Sequence, residues 1–243
     1  MRHSQTGAND LSLKERLLFL NDACMVINKL PGESSETINL PEEIFPPGKN
    51  PLPVHRLDTP VSGCLLLARN PEAAAFLGAA FAGHDARVVK RYWAIIEKPL
   101  AANALPPSGE LVHWLSENRK ANKSFAAEAG EGPPSLKRRR GRLKKAILRY
   151  RLAGEGDHYL FMEIDLVTGR HHQIRAQLAA VGLHIKGDLK YGARRSEKAG
   201  GIRLHARSLT FPNPLENDET ITVTAPPPVM DSLWTALAES IGR

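Results

Sequence analysis

The chain has 243 residues, 42% hydrophobic and 24% charged, with a formal net charge of +7. That length and balance describe one large or two small globular domains and set aside disordered, fibrous and membrane-spanning classes; the longest apolar run, residues 64–68, is only strand-sized. The basic excess suits a polyanionic partner, and Cys24 and Cys64, without a CxxC pair, argue against a disulfide framework or zinc knuckle and fit a reducing cytoplasm.

Residues 1–16 read as a disordered lead, polar at its start and without the apolar core of a signal peptide. Residues 17–20 and 24–28 read as strands, the second closed by Lys29-Leu30-Pro31-Gly32, and 31–53 as a surface loop rich in Pro, Gly, Ser and Glu. A charged tetrad, His55-Arg56-Leu57-Asp58, then runs through a Pro/Ser/Gly turn into the apolar strand 64–68. Asn70-Pro71-Glu72 starts a helix that continues to Ala82 and stops at Gly83, with a capping Asn, Pro at the first helical position and an acid at the positive dipole end. Residues 88–96, including Tyr92, read as a strand.

Residues 118–145 read as a flexible basic insertion; seven of the nine residues 137–145 are Lys or Arg, a tract suited to phosphate contacts or to simple solvation. Leu148, Tyr150 and Leu152 alternate with Arg149 and Arg151, and Leu160, Met162, Ile164 and Leu166 continue the alternation beyond a tight connection at 154–157, which predicts an antiparallel hairpin. After Thr168-Gly169-Arg170 the period becomes helical, with Ile174, Leu178 and Val181 on one face and Gly182 as cap. On such a helix the adjacent His171 and His172 face apart. Residues 204–211 and 221–224 read as strands, and Asp231 caps a last helix carrying Leu233, Trp234, Leu237 and Ile241. Hairpins outnumber βαβ units, so the fold class is α+β, a mixed and mostly antiparallel sheet with flanking helices. No linker interrupts 17–243, which reads as a single domain.

Three blocks carry the chemistry: His55-Arg56-Leu57-Asp58; Thr168-Gly169-Arg170-His171-His172-Gln173-Ile174-Arg175 with Lys186-Gly187-Asp188 and Tyr191-Gly192; and Leu204-His205-Ala206 with Leu209, Phe211 and Pro214. A carboxylate flanked by Arg and His at the mouth of an apolar strand is costly to build unless it is used. In order and spacing the blocks resemble RluA-type pseudouridine synthases, which isomerise uridine within RNA. The resemblance spans about 17–225 and implies the family's bent-sheet catalytic domain without a small RNA-binding domain in front of it.

The resemblance makes Asp58 the nucleophile, attacking either the base or the sugar carbon. Arg175 becomes the cation set against that carboxylate, where a guanidinium would keep it ionised in a partly dry cleft. Tyr92, in Lys90-Arg91-Tyr92-Trp93-Ala94, matches the family's K-x-Y-x-A motif, whose ring stacks on uracil and whose hydroxyl could help remove the carbon-5 proton; read alone, a strand Tyr is more often plain core, so the assignment rests on the resemblance. Arg56 would hold the extruded nucleotide, Leu204 would floor the base, and His55, His172 and Gln173 would join the substrate contacts. Arg170 and Lys186 suit phosphate ligands near a Gly turn and a helix start, or are plain surface charges.

The chain departs from the family pattern at His171, Gln177 and Asn213, which bears on substrate choice rather than activity. The reaction is an isomerisation, so no cofactor and no metal is implied. The expected partner is ribosomal or transfer RNA, with no membrane and no obligate protein partner, for a cytoplasmic monomer. No HExxH, G-x-S-x-G, P-loop or dinucleotide fingerprint supports another enzyme class. The alternative is a non-catalytic RNA-binding or RNA-folding protein built on the same domain.

Overall fold

The structure is a computed structural model describing residues 13–38, 51–83, 85–99, 105–128, 143–198, 200–216 and 218–242. In chain order the elements are helix α1 (Leu13–Arg16), strands β1 (Leu17–Leu20), β2 (Cys24–Lys29), β3 (Leu52–Pro53) and β4 (Ser62–Ala68), and helix α2 (Pro71–Ala82). Strands β5 (Val89–Glu97), β6 (Ser108–Asn118), β7 (Lys123–Glu128), β8 (Lys144–Glu155) and β9 (Tyr159–Leu166) follow, then helix α3 (Gln173–Ala180) and strand β10 (His184–Ile185). Strands β11 (Leu204–Pro212) and β12 (Thr220–Thr224) and helix α4 (Ser232–Ile241) complete the fold. The mixed, strand-dominated α+β class expected from the sequence is what the chain adopts.

The chain divides into two compact units: residues 1–90, 199–201 and 205–234, and residues 91–198, 202–204 and 235–243. Neither unit is one continuous stretch, so no linker composition announces the division.

In the first unit β4 is the hub, pairing antiparallel with β2 and β3 and parallel with β11; β1 pairs with β2, and β12 with β11. All seven residues of β4 are buried, which explains why its sequence is a continuous apolar run rather than an alternating one. Gly63 has φ +115°, and a Cβ there would lie 2.3 Å from the Ala206 carbonyl oxygen, so only glycine lets β11 approach. Val26, Leu66, Leu77, Phe211 and Val223 share one core cluster, each large side chain contributing about 1.5–3 kcal/mol. Cys24 and Cys64 are buried free thiols in that core, their pKa values pushed up to about 11 and about 12 by burial, and so are inert. Helix α2 begins as its sequence predicts, with Asn70 Oδ1 accepting the Ala73 amide at 2.8 Å and Gly83 as cap.

The second unit is an antiparallel array in the order β5-β9-β8-β6-β7, with β10 added to β5. Leu148 opposes Leu166 and Tyr150 opposes Ile164 in the expected β8–β9 hairpin. Helix α3 packs Ala176 and Ala179 against Leu115, Ala126 and Ala146 of the sheet.

Two expectations are corrected. Residues 13–16 are not part of a disordered lead: they form α1, fixed by Arg16 donating to both oxygens of Glu33 at 2.9 and 2.8 Å. The first part of the 118–145 insertion is not flexible either: β6 and β7 form a hairpin closed at Asn118 opposite Lys123, because short side chains such as Ala126 fit beneath α3. Residues 137–142 of the basic tract lie outside the described residues. Among the described residues, no helix is long and apolar enough to cross a membrane.

Candidate active site

Asp58 sits in the turn that feeds β4, and the backbone around it is held from three directions. Val61 N–H donates to the Asp58 carbonyl at 2.9 Å, closing the turn. Just upstream, Ser35 Oγ brackets Leu57, accepting its amide and donating to its carbonyl, both at 3.0 Å. Just downstream, the fully buried Lys29 donates from Nζ to the carbonyls of Leu30, Thr59 and Val61 at 2.9, 3.2 and 2.7 Å. Three ammonium hydrogens meet three acceptors, so the cation tolerates burial by full hydrogen bonding. Burial pushes its pKa down to about 8, with the carboxylates of Glu33 and Asp58 pulling the other way.

Lys29 is therefore the residue the sequence reading missed. In sequence Lys29-Leu30-Pro31-Gly32 reads as turn punctuation, and the one available signal is a lone cation ending an apolar strand. Lys29→Met keeps the stem and orphans the carbonyls, so a loss on the order of 3 kcal/mol is expected. A thermal melt should show Tm lower by roughly 6 to 12 °C. An unchanged Tm would mean that the turn holds without the ammonium.

Within the same unit His55 is a framework residue. Its Nε2 accepts the Leu66 amide at 3.0 Å and its ring stacks on Phe81, with centroids 5.1 Å apart. Burial, aided by Lys90, lowers its pKa to about 3, so the ring is neutral and Nδ1 carries the proton. Arg56 points into solvent, its guanidinium 3.5 Å from the equally exposed Glu36, a pairing too weak to hold it. Ser62 bonds His205 at 2.8 Å, but the other imidazole nitrogen is given to the Ala225 carbonyl at 3.0 Å rather than to a carboxylate. With Ser62 also buried, this pair is a structural tie and no hydrolase dyad.

The remaining expected site residues belong to the second unit. Tyr92 lies buried on β5 opposite Ile164. Arg175, on the first turn of α3, is buried and forked onto Asp188, with Nε to Oδ2 at 2.7 Å and Nη2 to Oδ1 at 2.8 Å; its guanidinium also lies 4.9 Å from the centre of the Tyr191 ring. A bidentate buried pair of this kind fixes the arginine's rotamer. Asp188 and Tyr191, quoted in the motif but given no role, thus position Arg175. Leu204 is buried at the start of β11.

Three further expectations change. Gln173 is committed to the framework: Oε1 accepts from Thr168 Oγ1 at 2.8 Å and the Arg170 amide at 2.9 Å, while Nε2 donates to the Ile147 carbonyl at 3.0 Å. Lys186 is tied to Glu197, which Arg203 also grips at 2.7 Å, rather than left open for phosphate. Burial alone would raise the Glu197 pKa, but the two cations hold it at about 2. The rings of His171 and His172 stack at 3.8 Å instead of facing apart, because the helix begins only at Gln173 and His172 adopts left-handed backbone with φ 51°. His172 Nδ1 meets the Tyr191 hydroxyl at 3.0 Å, and Arg170 Nε donates to the Lys145 carbonyl at 3.2 Å. Among the described residues no group of three His, Cys, Asp or Glu is placed to hold a metal.

A model of the RNA pseudouridylate synthase family matches residues 32–180, well over half of the chain and including both the Asp58 turn and α3. The chain belongs to the RNA pseudouridylate synthase family. It is 32% identical over 231 residues to an uncharacterized RNA pseudouridine synthase of Zymomonas mobilis, covering 89% of this chain and 95% of that one. It is 29% identical over 247 residues to the tRNA pseudouridine synthase C of Haemophilus ducreyi, covering 93% and 95%. The fold is that of human RNA pseudouridylate synthase domain containing 4, with a TM-score of 0.69 at 21% identity and coverage of 95% and 94%. The chain is accordingly a pseudouridine synthase with RNA as substrate, and the stretch that the family model matches carries Asp58, Tyr92 and Arg175.

Proposed function

We propose that this pseudouridine synthase isomerises uridine in structured RNA with Asp58 as nucleophile and without a cofactor. The observation that carries the reading is the Asp58 turn, whose backbone is fixed by Lys29 and Ser35 inside the stretch matched by the family. A nucleophile needs such a frame, because reacting atoms must be held within a few tenths of an ångström. The reaction balances without outside reagents: the bond from base nitrogen 1 to the ribose breaks, the base turns, carbon 5 joins the sugar, and the proton leaving carbon 5 is matched by one gained at nitrogen 1. Tyr92 supplies a ring for stacking and a hydroxyl near that proton transfer; Arg175 supplies a fixed cation; Arg56, exposed beside Asp58, grips the extruded nucleotide. The enzyme works as a cytoplasmic monomer.

Purified protein should convert uridine to pseudouridine in transcribed transfer or ribosomal RNA in excess EDTA, with the site mapped against RNA from cells lacking the protein. Relatives named tRNA pseudouridine synthase C make transfer RNA the first substrate to try. RNA binding without pseudouridine in either class would favour an RNA-folding protein instead.

A further inference from the structure

The cations of the second unit differ in what they face. On the β5-β9-β8 side they face carboxylates: Arg91 meets Asp165 at 2.8 Å, Arg149 meets Glu110 at 3.0 Å and Arg151 meets Glu163 at 3.6 Å. Around the β6–β7 turn they do not. Among the described residues, Arg119, Lys120, Lys123, Lys145, Arg170 and Lys190 form no ion pair with a carboxylate. The turn is nevertheless well fastened. Asn118 Oδ1 accepts the Ala121 amide, Asn122 takes left-handed backbone with φ 45°, and its side chain meets His171 Nε2 at 3.1 Å. Lys190 Nζ donates to the Asn122 carbonyl at 3.0 Å and Lys123 Nζ to the Lys190 carbonyl at 2.6 Å, while Arg170 reaches the Lys145 carbonyl. These bonds use one hydrogen on each donor and bring like charges together. Phe125, 37% exposed, lies beside them with Lys123 Nζ 5.7 Å from its ring centre.

We propose that this turn and the segments bonded to it form a phosphodiester-backbone contact for the RNA substrate. Holding unneutralised cations in a fixed cluster is unfavourable in isolation and becomes favourable when a polyanion releases its counterions on binding. The inference rests on RNA being the substrate but not on the role of Asp58.

The test is the triple variant Arg119→Gln, Lys120→Gln and Lys145→Gln, whose wild-type side chains make no hydrogen bond or ion pair among the described residues. The control, Lys98→Gln, Arg149→Gln and Arg151→Gln, removes the same charge from carboxylate-paired positions. Binding of an unmodified transfer RNA transcript is measured between 50 and 200 mM salt. Three lost contacts lower the salt slope by about 2.1 to 2.7, so wild-type affinity falls about 20- to 40-fold more than that of the variant. The control keeps the wild-type slope, and the single-turnover rate at saturating RNA is unchanged in the patch variant. Equal slopes for variant and control would overturn the proposal, because net charge alone would then explain binding. Pseudouridine yield from wild-type protein on the same transcript decides the proposed activity separately.

Discussion

Asp58→Asn is expected to reduce pseudouridine formation by at least about 10⁴-fold, in line with the loss of a covalent nucleophile elsewhere. The amide has nearly the shape of the carboxylate, and the hydrogen bonds that hold the turn, from Val61 N–H to the Asp58 carbonyl and from Lys29 Nζ to backbone carbonyls, stay in place; only the attraction between the carboxylate and the Lys29 ammonium is lost. Melting temperature and RNA affinity should therefore stay near wild type while turnover disappears. Stopped turnover with intact binding separates a lost nucleophile from a lost fold. Residual turnover above about one part in 10² would remove Asp58 from the chemistry.

Tyr92→Phe should retain RNA binding, since the ring remains, and slow turnover by roughly 10² to 10⁴ if the hydroxyl shares in proton transfer. The side chain is buried on β5 opposite Ile164 of β9, and Phe fits the same space. The informative readout is the split between the rate at saturating RNA and the affinity. An unchanged rate would leave Tyr92 a stacking or core residue.

The hairpin β8–β9, helix α2 and the apolar β4 were legible in the sequence because each is written in local signals: alternation, a cap, a continuous apolar run. The β6–β7 hairpin was not. Its second strand, Lys123-Ser124-Phe125-Ala126-Ala127-Glu128, has small residues where strong β formers would be expected, and its inward face is set by contact with α3, distant in sequence. Among site residues, the motif blocks pointed to Arg175 but not to the Asp188 fork that fixes it. Gln173 and Lys186 look in sequence like ligand contacts; only three-dimensional bonding reveals that Thr168, Ile147 and Glu197 claim them first. Lys29 was hidden because burying a full positive charge is something a pattern of residue types argues against.

The discontinuous make-up of the first unit sets a timetable for synthesis on the ribosome. Leu66 and Leu77 emerge early, but their core partners Leu209, Phe211 and Val223 are translated some 130 residues later, as is the parallel neighbour of β4. The second unit, mostly contiguous from 91 to 198, has nearly all its strands in hand before then. The nascent chain must carry β4 with only its early neighbours β2, β3 and Leu77, and without β11 and β12, through most of elongation, a window in which stalling or truncation near residue 180 would leave apolar surface exposed. Fragments ending there should aggregate rather than fold.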